Sequence, residues 1–318
     1  MTAAEVVLQL PELMDKILGH LSTRELVWTM PLVSRAWRHR VQAKRHQQTL
    51  HFTGCGAMIP LAARRVPFAR SLDLDPPNFL FSRVADFRAL ETLNLNAASL
   101  LPRSYRVLRQ LRKTLTSLTL FSATPEGLLA MVQGPATHYD GLKELDLRMC
   151  ATHSLHERAP AAVLRLAAGL PALQRLRLRN TVLAPLQLDA VLLSAPLRVL
   201  ELWLWDANTR PACLDSMANN GGRLEAVVFT VCRAYDFIEY EEPASATREK
   251  YVEAAFNLFA ACPQLKTLRL RNAQSELQTL AAVRHLRIGP NVRVSVKLCG
   301  GTVELRRHTE ARRTLKGR

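Results

Sequence analysis

A short leucine motif recurs along most of this 318-residue chain and constrains its fold more than any other feature. The motif is Leu-x-x-Leu-x-Leu, and two of its copies overlap the duplicated segment LRLRN at Leu176–Asn180 and Leu268–Asn272. Because its last two leucines alternate with polar residues, the motif predicts a short strand with one face in a core. Clear copies begin at Leu90, Leu115, Leu142, Leu173, Leu197 and Leu265, and looser ones at Gln47, Ala69, Leu224 and Val283.

The spacing of the copies indicates a repeat architecture. Most begin 21 to 31 residues apart, a period typical of leucine-rich repeats, and segments with helical spacing lie between them. A doubly wound α/β domain is the alternative, but its buried parallel strands usually read as continuous Val/Ile runs. We therefore expect an α/β fold over residues 47–300: a leucine-rich-repeat solenoid with parallel strands on its concave face and helices on its convex face.

Residues 1–46 lack the repeat and predict three short helices. Pro11 suits a first helical turn, and Leu13 and Ile17 belong to a one-sided apolar stripe. Ser22 followed by Glu25 predicts a capping box at the start of the next helix. A helical unit this small does not cover its own apolar groups, so they are expected to be covered by the repeats, as an end cap, or by a partner.

The N-terminal segment resembles an F-box, especially the fungal kind. The match has the family's order and spacing over about 40 residues. Its matching residues are Leu10-Pro11-Glu12-Leu13, Ile17-Leu18, Leu21, Arg24-Glu25-Leu26 and Leu32 to Arg38, with Met14 where Leu is commoner. The resemblance implies an F-box that docks on a Skp-type adaptor, and through it on a cullin–RING ubiquitin ligase. The repeats would then capture a protein substrate.

Two groups of residues are candidates for binding. The resemblance implies a set of residues that either contact the adaptor or order the helices that contact it. They are Leu10, Pro11, Ile17, Leu18, Leu21, Leu26, Val33 and Trp37. The substrate is expected to meet the strand positions that point away from the core, where arginines and one tryptophan collect. These residues are Arg148, Arg175, Arg177, Arg179, Trp203, Arg269 and Arg271. Because arginine pairs well with carboxylate and phosphate, the expected ligand is an acidic or phosphorylated protein segment.

A 41-residue gap between Leu224 and Leu265 holds an acidic and aromatic stretch over residues 235–247. It is either a surface insertion or a loop that walls or occupies the basic face.

The formal charge of +16 is concentrated toward the end of the chain, where residues 284–318 hold ten Lys or Arg and two Glu. We assign residues 301–318 to a basic C-terminal tail. The charge keeps open a second function, a basic leucine-rich-repeat scaffold that binds acidic proteins or nucleic acid without a role in ubiquitination.

Other classes of function are disfavoured by what the sequence lacks. It has no apolar run of about 20 residues and no secretory signal pattern, so neither membrane insertion nor secretion is expected. Six dispersed cysteines fit a reducing compartment, the cytosol or the nucleus. No phosphate loop, nucleophile elbow or zinc motif is present, so we expect no enzymatic activity, metal or cofactor.

Overall fold

A computed structural model gives the structure of the chain in two compact units, Met1–Leu145 and Asp146–Arg318. Each unit is described by itself. The described residues are 13, 16–17, 20–29, 32, 49–53, 58–75, 81–98, 100–133, 139–150, 158–179, 181, 183–204, 209–231, 245–271, 285–289, 292–299 and 302–309.

The first unit contains four parallel strands that pair in chain order. They are β1 (Thr49–Thr53), β2 (Ser71–Asp75), β3 (Thr92–Asn96) and β4 (Ser117–Ala123). The helices whose bounds are described in this unit are α1 (Ile59–Arg65), α2 (Pro102–Leu108) and α3 (Pro125–Val132), with 3₁₀ turns at Phe81–Asp86 and Arg109–Leu111. A proline lies in the first turn of each helix, where its missing N–H costs no hydrogen bond.

The predicted leucines hold this unit together. Leu50 pairs with Leu72, Leu72 with Leu93 and Leu93 with Leu118, and all four are fully buried. The polar residues between them, such as Asp73 and Asn94, remain partly exposed, as the period of two predicts. The core therefore lies between one face of the strands and the buried faces of the helices.

The second unit continues the alternation of strands and helices. Strand β5 (Glu144–Met149) crosses the boundary between the units. The strands β6 (Arg175–Arg179), β7 (Val199–Leu204), β8 (Ala226–Val231) and β9 (Thr267–Arg271) follow, parallel and in chain order. The helices are α4 (Arg158–Ala168), α5 (Pro185–Ser194), α6 (Thr209–Asn220) and α7 (Ser245–Ala261). Leu176, Leu200, Val227 and Leu268 form the buried row across β6 to β9.

The end of the second unit differs from the sequence-based expectation. Three antiparallel strands, β10 (His285–Gly289), β11 (Val292–Cys299) and β12 (Thr302–Thr309), complete the sheet in the order β9-β12-β11-β10. The copy of the motif at Val283 therefore does not continue the parallel series. Residues 301–318, which the sequence assigned to a basic tail, include strand β12. This strand belongs to the sheet, since Leu305 is fully buried opposite Leu268 of β9.

The described part of the N-terminal segment is attached to the first repeat. Glu25 and Ser22 form the predicted capping box: Ser22 N and Oγ each donate to Oε2 of Glu25 at 2.8 Å, and Glu25 N donates to Oγ of Ser22. A π-helical turn, Glu25–Thr29, follows. Val27 is fully buried, and its carbonyl oxygen accepts from the Arg65 guanidinium of α1. The predicted three-helix arrangement otherwise falls largely outside the described residues.

In the part of the chain that the structure describes, no helix has the length and apolar character needed to cross a membrane.

Candidate functional site

The candidate site lies on the side of strands β5 to β9 that faces away from the core of the second unit. Cross-strand register places Arg177 beside Glu201, Glu201 beside Val228, and Val228 beside Arg269. A charged row therefore crosses the sheet, interrupted by one valine. The fixed strand spacing of about 4.8 Å holds these side chains close enough to interact across the ladder.

Two arginines of β6 share the carboxylates of the neighbouring strands. Nη1 of Arg177 lies 3.6 Å from Oδ2 of Asp146, and its Nε lies 3.3 Å from Oε2 of Glu201. Nη2 of Arg179 donates to the same Asp146 oxygen at 3.3 Å. The Asp146 and Glu201 side chains are only 15% and 8% exposed, whereas the Arg177 side chain is 38% exposed. These four residues are called the ion-pair cluster below.

Trp203 extends the ion-pair cluster along β7. The guanidinium carbon of Arg179 lies 5.9 Å from the centroid of the half-buried Trp203 ring, within the range of a cation–π interaction. Trp203 Nε1, Asp146 Oδ1 and Thr230 Oγ1 are buried and have no hydrogen-bond partner among the described residues. This edge of the face therefore keeps donor and acceptor capacity that the described chain does not use.

Burial dominates the electrostatics of Asp146. It raises the pKa of this carboxyl above its ordinary value, and Arg179 and Arg177 oppose the shift without cancelling it. The carboxylate is thus less favourable here than in water, although two arginines point at it. Any change that separates Asp146 from these arginines would leave its charge poorly solvated.

The predicted substrate-binding residues are thus only partly brought together. Arg175, Arg177, Arg179 and Trp203 lie on adjacent strands, and Arg148 is exposed on β5. Arg269 is on the same face, but its Nε donates to Oε1 of Glu304 at 3.0 Å. Arg271 follows in β9, and its side chain lies outside the described residues.

Three carboxylates were missed as members of this site. Asp146 and Glu201 stand at outward positions of their own strands. The alternation of inward and outward residues could therefore have placed them on the same face as the arginines. Glu304 lies in β12, which the sequence did not reveal as a strand. Because of these acids, the face is less basic than its arginine count suggested.

The predicted adaptor-binding residues are described only in part. Ile17 and Leu21 are half-buried, and Leu32, within the matching motif, is 70% exposed. Leu26 lies in the π-helical turn without a described side chain. The remaining predicted contacts, Leu10, Pro11, Leu18, Val33 and Trp37, lie outside the described residues.

The described residues contain no group of three or more His, Cys, Asp or Glu side chains placed to hold a metal ion. Two buried thiols, Cys213 and Cys262, have their pKa values raised by burial, that of Cys213 to about 11. Raised values disfavour the reactive thiolate at neutral pH.

Comparison with known proteins names no family for this chain. No protein-family model matches it, and no curated protein matches it significantly.

Proposed function

We propose that this chain is the substrate-recognition subunit of a Skp–cullin–F-box ubiquitin ligase. Its N-terminal segment binds the Skp-type adaptor, and the outward face of its strands binds a protein substrate. The chain makes and breaks no covalent bonds and needs no cofactor. It acts by proximity, because binding raises the concentration of substrate near a ubiquitin-loaded enzyme. The cytosol or the nucleus is the proposed compartment.

The proposal that the N-terminal segment binds the adaptor rests on a contrast between its buried and its exposed apolar residues. Val27 is fully buried, and the Thr23 hydroxyl accepts a hydrogen bond from His51 N of β1 at 2.7 Å, so this part is tied to the first repeat. Leu32 instead leaves 70% of its surface in water. A segment anchored at one place, with a large apolar side chain exposed at another, suits a docking site for another subunit.

The substrate half is supported by the ion-pair cluster and Trp203. Arginine and tryptophan contribute strongly to many interfaces. Arg177 and Arg179 form ion pairs with Asp146 or Glu201, and each guanidinium carries further N–H groups that can donate in other directions. The proposed ligand is an acidic or phosphorylated segment that meets Arg148, Arg175, Arg177 and Arg179 on this face.

Co-purification with the Skp-type adaptor tests the adaptor half. The full wild-type chain is expected to retain the adaptor, and Ile17→Asp and Trp37→Ala are each expected to lose most of it. Leu101→Asp is the matched control, since Leu101 is 53% exposed and lies outside the F-box-like segment. No association with the wild-type chain refutes the ligase role.

Charge reversal on β6 tests the substrate half. The variant with Arg175, Arg177 and Arg179 changed to Glu is expected to lose bound proteins, measured by quantitative mass spectrometry of proteins captured by the full chain. The control changes the exposed Arg64, Arg88 and Arg106 of the first unit to Glu, which alters net charge equally. A capture profile that the β6 changes leave intact rules out this face.

The second candidate is a basic scaffold for acidic proteins or nucleic acid that acts without a ligase. The formal charge of +16 is the observation that favours it. Its discriminating result is binding to single-stranded RNA that persists at physiological salt together with no association with the adaptor.

A further inference from the structure

The last strands of the second unit have one side against the core and one side in water. On β12 the core side is marked by Leu305, which is fully buried, and by Arg307, whose guanidinium donates to the Phe259 carbonyl oxygen of α7. Arg306, between them, is exposed, and so is Lys297 of β11. We call the side of β9, β12, β11 and β10 that carries Arg306 the terminal face.

Cross-strand register places basic residues in rows across the terminal face. Arg287 of β10 lies opposite Arg293 of β11, which lies opposite His308 of β12. Neighbouring rows are about 6.7 Å apart along the strands, and neighbouring strands are about 4.8 Å apart, so the rows form a grid of charge. The register positions of this face hold six cations, Arg269, Arg271, Arg287, Arg293, Lys297 and Arg306, together with His285 and His308.

One carboxylate stands among these cations. Glu304 is the acid that the four described strands place on the terminal face. Its Oε1 lies 2.9 Å from Nε of Arg306 and 3.0 Å from Nε of Arg269. These contacts lower the pKa of Glu304, with Arg306 as the largest cause, so the carboxylate is ionised at neutral pH. Six cations against one carboxylate leave a clear excess of positive charge.

Two further described acids near these strands do not cancel the excess. Glu225, just before β8, is shared between Lys266, 2.8 Å away, and Arg198, 3.4 Å away. Glu253 is exposed, but it belongs to α7, which lies on the core side of the sheet. The positive charge of the terminal face is therefore not neutralised by the elements around it.

The flanking sequence does not cancel the excess either. The acidic stretch over residues 235–247 follows the end of β8 that is in register with Arg271, whereas the row of Arg287 lies toward the other end of the strands. Residues 272–284 hold one acid and one base, and residues 310–318 hold one acid and four bases. The ligand that complements this face is therefore an anion with many charges.

The residue types on the terminal face favour a nucleic acid over an acidic protein. The described strands place no Phe, Tyr or Trp at its register positions, so bases have no aromatic ring to stack on. Among the described side chains, the exposed large hydrophobic ones lie on other elements than β9 to β12. Protein interfaces usually have apolar anchors at their centre, whereas the phosphates of a duplex need only cations.

We propose that the terminal face binds the phosphate backbone of a duplex nucleic acid without reading its sequence. A duplex carries one negative charge per about 1.7 Å of its axis, so several phosphates lie within reach of the grid. This site goes beyond the ligase role and gives the second candidate function a defined location. It holds whether or not the chain binds the adaptor.

The test uses the full chain and two labelled DNA duplexes of about 20 base pairs with different mixed sequences, in fluorescence anisotropy from about 50 mM salt upward. The variant with Arg287, Arg293 and Lys297 changed to Gln is expected to lose at least about tenfold in affinity for both duplexes. Its slope of log affinity against log salt should be smaller by about 2–3. The control changes the exposed Arg64, Arg88 and Arg106 of the first unit to Gln, which alters net charge equally. It is expected to lose less than about threefold.

Equal losses in the two variants would overturn the proposal, because binding would then follow net charge and not the terminal face. No saturable binding of the duplexes, an affinity difference of about tenfold between the two sequences, or equally tight binding of a labelled polyglutamate peptide would overturn it as well. Adaptor retention by the same variants is measured separately, so failure of this site and failure of the ligase role are distinguishable. Circular dichroism checks folding, and Lys297→Gln, with a slope smaller by about 1, replaces the triple variant if that variant unfolds.

Discussion

Two neighbouring glycines after α6 show how strongly single positions differ in what they tolerate. A Cβ on Gly221 would overlap the Met217 carbonyl oxygen and lie 2.6 Å from Cδ1 of Leu224. A Cβ on Gly222 would meet nothing within 4 Å. The same chemical change therefore has opposite consequences one residue apart, because only the first position is enclosed by backbone.

We predict that Gly221→Ala lowers the free energy of unfolding by about 1–3 kcal/mol, since the overlapping atom is main chain and cannot simply rotate away. Gly222→Ala is expected to change it by less than about 0.5 kcal/mol. Urea titration of the two variants gives the comparison. Equal stabilities would mean that the turn after α6 is more open than the structure shows.

Asp146 supplies a pH prediction. Its folded pKa is raised above the unfolded value, mainly by burial, so the folded chain binds a proton at a pH where the unfolded chain does not. We therefore expect the free energy of unfolding of the wild type, relative to that of Asp146→Asn, to rise as the pH falls. The rise should span the interval from the pKa of Asp146 in the folded chain down to its pKa in the unfolded chain. Thermal unfolding of both proteins across this interval measures the difference. A relative stability that falls with decreasing pH contradicts the burial argument.

At the scale of elements, β12 changes how the end of the sheet is built. It lies between β9 and β11, antiparallel to both, and Glu304 receives hydrogen bonds from Arg269 of β9 and Arg306 of its own strand. These contacts lower the pKa of Glu304, with Arg306 as the largest cause. The strand thus joins the candidate face to the end of the sheet through both its backbone and its side chains.

We predict that Leu305→Ala costs about 2–5 kcal/mol of stability, because Leu305 is fully buried opposite the buried Leu268 of β9. The control is Lys297→Ala, since Lys297 is exposed on the adjacent strand β11. This change is expected to alter the free energy of unfolding by less than about 0.5 kcal/mol. Chemical denaturation of the full chain measures both changes. If Leu305→Ala left the free energy of unfolding unchanged, residues 301–318 would instead behave as the solvated tail that the sequence predicted.

The sequence was informative wherever structure depends on local periodicity. The leucines of the motif predicted the buried residues of β2 to β6 and the inward row that ends at Leu268 of β9. The same period of two predicted that Arg177 and Trp203 point away from the core. It did not predict that Glu201, Val228 and Thr230, at outward positions of β7 and β8, are buried as well. The partners of these arginines were harder to predict, because register between strands is set by non-local packing. β12 was missed because Val303 and Leu305 offer only two alternating apolar positions within a strongly basic stretch.

At the scale of the whole molecule, the charge predicts how binding responds to salt. With a formal charge of +16, the chain should bind single-stranded RNA weakly at low ionic strength through phosphate contacts. The proposed adaptor contact rests on apolar anchors, so it should respond much less.

We therefore expect a change from 50 to 200 mM salt to weaken binding of a labelled RNA homopolymer by at least about tenfold and adaptor binding by less than about threefold. Fluorescence anisotropy measures how the affinity for RNA depends on salt concentration, and calorimetry measures the same dependence for the adaptor. RNA binding that is still tight at 200 mM salt, despite the expected loss, would favour the scaffold function instead.

The position of β12 also has a consequence for synthesis on the ribosome. The residues that pair with the outer edge of β9 are the last of the described strands to be translated, after β10 and β11. Until they emerge, β9 presents unpaired backbone groups to other nascent chains, and the β10–β11 hairpin has no sheet to join. Premature termination anywhere before Thr302 would thus release a polypeptide with an open edge, suited to aggregation and to capture by chaperones.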